Sequence, residues 1–268
     1  MLIDFHVHFF PDSIAPAAVK KLAEEAGVPY SGDGTLSSVG DFMKTDGVDY
    51  SVNQPVATRP EQVKSINRKM IEINGAGGPV ICFGSMHPGF PGPGEEIAFL
   101  KENGVKGIKM HPEYQNFYPD APEMSAIYDA CRKNDMILFF HAGRDIAYVD
   151  VHGTPRRFAE VAKIGGLKIV LAHMGGWRLW GDVEKYLCGG EAYFDVSYCM
   201  EMDGAQMKRI ILGHGPEKIL FATDFPWERA NAIMAKIEGL GLDKPAKERI
   251  YFKNALGLLG LPEKRPSA

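Results

Sequence analysis

No apolar stretch of this chain approaches the ~20 residues that a membrane span requires, and no run of lysine and arginine appears anywhere. Basic residues number 30 against 34 acidic ones, for a net charge of −4. That balance excludes the basic face through which a protein engages nucleic acid or an anionic membrane. Cysteine is scarce: Cys82, Cys131, Cys188 and Cys199 lie far apart, and no Cys-x-x-Cys pair occurs. A disulfide framework is thereby excluded, and reduced, buried thiols in a cytoplasmic protein are expected. Nothing around the four supports a nucleophilic role. A secretory pattern is missing as well, since Met1-Leu2-Ile3 runs directly into Asp4 and His6 with no basic region before them. No glycine-rich phosphate turn follows the first strand, which argues against a doubly wound nucleotide-binding sheet. Linkers, low-complexity segments and internal repeats are absent, so one domain over residues 1–268 is expected.

What is present is a regular alternation. Apolar residues make up 45% of the 268, enough for a large core. Short β-like runs occur at Ile3–His8, Asp49–Gln54, Val80–Met86, Val105–Met110, Ile137–His141, Lys168–Ala172, Tyr193–Val196 and Ile219–Ala222. Helical patterns between them cover Glu61–Asn74, Glu95–Asn103, Glu123–Asn134, Pro155–Ile164 and Ala205–Leu212. Gly75, Gly104 and Gly165 follow three of these, as where a helix stops on a left-handed residue. Eight βα units in a chain near the ~250 residues typical of a closed parallel barrel predict an α/β fold, a single (β/α)8 TIM barrel. An insertion is expected after the first strand, at about 9–38, and a helix at about 247–259 is expected to close the barrel.

The first strand carries the first chemical signal. In Ile3-Asp4-Phe5-His6-Val7-His8, apolar and polar residues alternate. Side chains in a strand alternate faces, so His6 and His8 point to one side. Ile3, Phe5 and Val7 are expected to pack outward on the helices, with Asp4 lower on the inward face in a hydrogen-bonding role. A lone His-x-His pair says little, because polar residues are common at strand ends. Other strands end the same way, however: Ile137-Leu138-Phe139-Phe140-His141, Ile169-Val170-Leu171-Ala172-His173 and Leu220-Phe221-Ala222-Thr223-Asp224. Four histidines and an aspartate thus fall at the C-terminal ends of strands 1, 5, 6 and 8, where barrel enzymes place their active sites. The set points to a metal site. Imidazoles and a carboxylate around an open position suit catalytic Zn²⁺, with Mn²⁺ compatible.

Together with Thr223-Asp224-Phe225-Pro226-Trp227, Gly107-Ile108-Lys109-Met110-His111-Pro112 and the closing Asn254-Ala255-Leu256-Gly257-Leu258-Leu259, these residues resemble the amidohydrolase superfamily. The branch they most resemble is the amidohydrolase-related one, which includes aminocarboxymuconate-semialdehyde decarboxylase and pyrone-dicarboxylate lactonase. The resemblance spans nearly the whole chain. It implies His6, His8, His141 and Asp224 as ligands of one divalent metal, with His173 as the acid or base beside it. Asp224 is also suited to accept a proton from water, and the His173 imidazole to move that proton to a leaving group. Lys109 shares a face with Gly107 and His111 and is expected to point inward. It falls on the strand where binuclear members carry a carbamylated lysine bridging two metals. Because the overall pattern resembles the mononuclear branch, one ion is expected, with Lys109 in an ion pair or on the substrate; carbamylation would bring two.

Other candidates come from the loops after the strands. His87 and His111 close strands 3 and 4 and are candidate substrate contacts. Arg144 and Arg59 suit a carboxylate-bearing substrate, which a guanidinium binds bidentately. Trp177 and Trp227, with Tyr114, Gln115 and Phe117, are candidate walls. His152 and His214 are expected in loops, as solvated or capping groups. The expected function is metal-dependent hydrolysis of a small lactone, ester or amide. One rival is a non-oxidative decarboxylase of an aromatic or unsaturated carboxylic acid on the same scaffold. The chain length favours hydrolysis, since the family's decarboxylases tend to be longer. The other rival is a barrel that binds metal or ligand without turnover. The sequence leaves a homodimer open.

Overall fold

The strands pair in parallel throughout. In chain order they are β1 (Ile3–Val7), β2 (Tyr50–Asn53), β3 (Val80–Cys82), β4 (Gly84–Ser85), β5 (Gly107–Met110), β6 (Ile137–Phe140), β7 (Lys168–Leu171), β8 (Tyr193–Asp195) and β9 (Ile219–Leu220). The computed structural model describes residues 1–263; the last five residues of the expected 1–268 unit lie outside them. Two strands, β3 and β4, are the halves of the single expected run Val80–Met86, parted at Phe83. The first half pairs with β2 and the second with β5, while Phe83 N donates to Asn53 O at 3.0 Å and keeps the line continuous. Eight barrel positions result. The ring closes between β1 and the segment after β9, through Phe5 N to Phe221 O (2.9 Å), Asp224 N to His6 O (2.7 Å) and His8 N to Phe225 O (2.7 Å). The fold is the expected (β/α)8 barrel.

Helices α1 (Ala15–Ala26) and α2 (Leu36–Asp46) fill the chain between β1 and β2, so the expected insertion is itself helical and merges into the first βα connection. Around the barrel follow α3 (Gln62–Ala76), α4 (Pro93–Glu102), α5 (Ser125–Lys133), α6 (Pro155–Val161), α7 (Trp180–Tyr186), α8 (Gly204–His214) and α9 (Ala230–Gly239). Side-chain caps start several of them: Thr35 accepts from Ser38 N, Thr154 from Arg157 N and Asp203 from Gln206 N. Each satisfies one otherwise orphaned amide. Two of the expected glycine stops move. Gly75 lies inside α3, and the positive φ falls on Gly77; after α6 it falls on Gly166. The chain ends in α10 (Lys244–Glu248), a π-turn at Arg249–Lys253, and α11 (Asn254–Leu259). The π-turn leaves Ile250 O free to accept from Phe221 N at 2.9 Å, which ties the closing helix to the barrel wall. Among the described residues no helix is long and apolar enough to cross a membrane.

Two apolar layers follow from strand alternation. Ile3, Phe5, Phe83, Phe139, Val170 and Leu220 fill the barrel interior, plugged from below by Leu256 and Leu259 of α11. Val7, Ile108, Leu138, Phe140 and Phe221 face the helices. Gly107 makes room for the Phe83 ring: a Cβ there would lie 2.5 Å from that ring and 2.7 Å from Ile137 O. The expectation that Ile3 and Phe5 pack outward is corrected by a bulge in β1 between Asp4 and Val7. The extra residue lets Phe5 and His6 both serve the interior, one above the other. Asp4, between Ile3 and Phe5, turns to the β9 side instead, accepting from Thr223 N (3.0 Å) and Thr223 Oγ1 (2.5 Å). Burial raises its pKa to about 7 against the pull of those bonds.

Candidate active site

Above the apolar plug, at the C-terminal ends of the strands, the interior turns polar. His6 and His8 come from the bulged end of β1. On β6 plain alternation suffices, with Phe139 inward, Phe140 outward and His141 inward. On β7 it does not, because Ala172 already faces the interior. His173 is turned in by a left-handed backbone (φ 59°), followed by Met174 (φ 55°), and Asp224 (φ 64°) and Tyr198 (φ 51°) end their strands the same way. Side-chain-bearing residues adopt this conformation at a cost of about 1–3 kcal/mol and cluster where function demands a particular aim.

One group of donors forms a triangle. The atoms His6 Nε2, His8 Nε2 and Asp224 Oδ1 lie 3.1, 3.0 and 3.3 Å from one another. Ligand atoms placed tetrahedrally at about 2.0–2.1 Å from a zinc ion stand about 3.3 Å apart, so a divalent cation fits this set. The tautomer of His6 suits it too. Its Nδ1 lies 3.0 Å from Asp195 Oδ2 and so carries the hydrogen, leaving the lone pair on Nε2 inside the triangle. Burial, then the Lys109 charge, then His8 hold the His6 pKa well below the ordinary histidine value, which keeps the ring neutral. Lys109 faces inward as expected, its Nζ 3.3 Å from His6 Nε2 and 4.3 Å above the Phe139 ring. Burial brings its pKa down to about 8, against the pull of Asp224 and Asp195.

The structure places His141 beside His173 and His111, next to this triangle. The outer nitrogens of the His141–His173 pair each meet a carbonyl: His173 Nδ1 lies 3.0 Å from Ser197 O, and His141 Nε2 lies 3.0 Å from Arg144 O. A carbonyl only accepts, so both outer nitrogens carry hydrogen. The inner ones, His173 Nε2 and His141 Nδ1, then face each other at 3.2 Å with their lone pairs. Such a pair binds a proton or a cation between its members. The His111 ring stacks on His141 at 4.1 Å, and its Nε2 is 3.5 Å from Asp145 Oδ2. Burial depresses the pKa of both His111 and His141.

Asp195 and Ser197, which are not among the candidates expected from sequence, join the two groups. Asp195 Oδ1 accepts from His173 N (2.9 Å), Ser197 N (3.0 Å) and Ser197 Oγ (2.6 Å), while Oδ2 holds His6. The signal was there: in Phe194-Asp195-Val196-Ser197 polar and apolar residues alternate just as in the first strand. Glu113 and Gln115 were missed as framework. Glu113 Oε1 accepts from His152 N and Gly153 N, both at 3.0 Å, and burial raises its carboxyl to about 7. Gln115 donates to Ala57 O and Met86 O and accepts from His111 N, binding three loops together.

Arg144, Trp177, Trp227, Tyr114 and His111 line the same cleft as the histidines, a cavity of about 1000 Å³. Arg59 and His87 lie outside it; the His87 Nδ1 is engaged by Gly89 N at 3.0 Å. Phe117 is packed in the outer core. His152 is partly buried beside the Tyr118 ring. The expectation for His214 is corrected: it ends α8 as a buried residue, stacked on Phe194 at 3.9 Å with Nε2 on Ala192 O. Gly143 (φ 92°) is where the loops after β6 and β7 meet. A Cβ there would fall 2.1 Å from Trp177 N, and Trp177 N to Ala142 O (2.8 Å) and Arg144 N to Trp177 O (3.0 Å) join the strands of chain on either side.

Known structures share this architecture. The 5-carboxyvanillate decarboxylase from Sphingomonas paucimobilis superposes with a TM-score of 0.70 at 17% identity, over 97% of this chain and 99% of its own. A probable 2-pyrone-4,6-dicarboxylic acid hydrolase from Acinetobacter baumannii, with citric acid bound, gives 0.68 at 15% identity over 97% and 99%. A 5-carboxyvanillate decarboxylase from Novosphingobium aromaticivorans, complexed with manganese and a nitrobenzoic acid, gives 0.72 at 15% over 97% and 96%. Identities this low carry the fold alone. Among curated proteins no sequence matches this chain. A family model described as Amidohydrolase, in contrast, matches residues 3–261. By that match, which runs from the first strand to just past the closing helix, the chain belongs to the amidohydrolase family.

Proposed function

We propose that the protein is a metal-dependent hydrolase that opens a lactone, ester or amide in a small, carboxylate-bearing molecule. The observation that carries the reading is the triangle of His6, His8 and Asp224 donor atoms at 3.0–3.3 Å, set at the base of a large cleft. In this reading those three side chains hold one divalent cation, zinc by the chemistry of the donors, and His141, which lines the same cleft, completes the expected set. When bound, the cation would supply Lewis acidity, which polarises a carbonyl and makes water more acidic. Asp195 fixes the His6 tautomer. Asp224 accepts the proton that the attacking water loses, and His173 takes it up on the lone pair of its inner nitrogen and passes it to the leaving group. Lys109 sets a positive charge beside the reacting carbonyl, and Arg144 at the rim takes the substrate carboxylate. Metal analysis tests the first half of the reading, with one equivalent per chain expected. Turnover of lactones, esters and amides in ¹⁸O-water tests the second, with one solvent oxygen expected in the product.

A second reading, non-oxidative decarboxylation, is favoured by the similar structures that act on carboxylated aromatics. There Lys109 and Arg144 would hold the departing carboxylate and His173 would protonate the ring carbon. Release of CO₂ with no solvent oxygen in the product establishes it in place of hydrolysis.

A further inference from the structure

The cleft is larger than its polar base requires. Its volume of about 1000 Å³ stands at the top of the roughly 300–1,000 Å³ typical of small-molecule sites. Beyond His8 and Gln54 it continues as a crevice between α1 and α3. On α1 the lining residues Ala18, Leu22 and Ala26 recur every fourth position; on α3 Ile66, Met70 and Ile73 recur at four and three. Each set is therefore one helical face. Two apolar faces that border one cavity would ordinarily close on each other and expel water. Here they are held apart. The flanks of α1 are tied to each other by Phe10 N on Gly34 O and to the loop after β9 by Ser31 N on Pro226 O, both at 2.8 Å. Charged groups stand at the edges: Lys21 pairs with Glu25 (3.7 Å) and Lys69 with Glu72 (2.8 Å). The crevice floor is thus apolar, its rim is ionic, and its inner end opens on the donor triangle.

We propose that the crevice between α1 and α3 binds an apolar chain, alkyl or arylalkyl, that extends from the reactive head of the substrate. The inference rests on the triangle being the reactive end of the cleft, and it narrows the substrate class to molecules with a polar head and an unbranched apolar tail. A compact aromatic acid confined to the polar base leaves both helical faces wet. A chain laid between Leu22 and Ile66 dries them and gains the burial that the protein itself forgoes.

Calorimetric titration of the metal-loaded full chain with straight-chain carboxylates, from butanoate to octanoate, tests this. Affinity is expected to rise roughly three- to fourfold for each added methylene. Leu22→Asp and Ile66→Asp, each at a half-exposed position, are expected to flatten that slope while leaving butanoate affinity and metal content unchanged; two variants on separate helices guard against a local folding defect. A flat series in the wild-type protein with bound metal overturns the crevice proposal, as does a slope retained in both variants. A protein that takes up no metal yet keeps the chain-length slope overturns the metal-centre reading and leaves the crevice standing.

Discussion

The lower and upper halves of the barrel are built from the same strands and obey opposite rules. Below, Ile3, Phe5, Phe139, Val170 and Leu220 close on Leu256 and Leu259 in an apolar cluster. Above, towards the C-terminal ends of the barrel strands, stand His6, Lys109, His141, His173 and Asp195, all buried. Burying polar groups is unfavourable unless each is partnered, and the upper half meets that demand with a network in which Asp195 alone takes four contacts. Backbone strain divides the same way: His173, Met174, Tyr198 and Asp224 hold left-handed conformations at the mouth, while the interior strands below are regular apart from the bulge. The lower half supplies stability that the upper half spends on aim.

That division can be broken at its strongest point first. His6→Ala removes the donor shared by the triangle and the Asp195 bond. Bound metal should fall from one equivalent to none, and metal-dependent turnover on the order of a thousandfold or more; retained stoichiometric metal would disprove the triangle. Leu256→Ala, in the plug, should do the reverse. It should lower stability by about 3 kcal/mol, on the order of 10 °C in Tm, with metal content untouched. Thermal melts and metal analysis on the same samples separate the two variants, and a Leu256→Ala protein that loses metal while folded erases the contrast.

A subtler change sharpens it. Asp195→Asn keeps the size of the side chain and, with its oxygen toward Ser197 and His173 N, turns an NH₂ toward His6 Nδ1. Two donors then face each other, the imidazole shifts its hydrogen to Nε2, and metal affinity should fall about 10- to 100-fold. Competition with a chelator reads this out; unaltered affinity would mean that His6 needs no partner to hold its tautomer. The smallest expected effect is on pH. The Glu113 carboxyl is raised from 4.5 to about 7 by burial, so the folded state holds its proton more tightly than the unfolded chain. The resulting stability is full below about 4.5 and is lost as pH rises through about 7. Between pH 5 and pH 8 the wild-type Tm should therefore drop by on the order of 5 °C more than that of Glu113→Gln. Parallel curves would show that Glu113 stays ionised in the fold.

Much of this was legible in the sequence. All eight barrel strands fall within the expected β-like runs, and where a parallel strand is buried on both faces, as in Ile137-Leu138-Phe139-Phe140, the signature is continuously apolar. Alternation alone aims Lys109 and His141 correctly. It fails at Phe5, since a bulge has no residue signature in Asp4-Phe5-His6. It reaches the right side for His173 only because a left-handed turn overrides it. Asp195 and Ser197 obeyed the rule used for the first strand but carried no histidine to draw attention to them. Arg59 and His87 were placed by proximity to strand ends, and side-chain direction in a loop is set by local bonds such as Gly89 N on His87, which a linear reading does not contain. The stretch that forms α1 fell within an expected insertion to which no helix was assigned, and that its apolar face borders a cavity is a tertiary fact.

The contact at Gly143 has a consequence for anyone reshaping this mouth. With backbone touching backbone at Trp177, the two loops are riveted into one part. Transplanting either from a relative without its mate would leave a mismatched seam, whereas exchanging both as a single cassette preserves it. Directed evolution of specificity here should treat the pair as one module, with the glycine kept invariant.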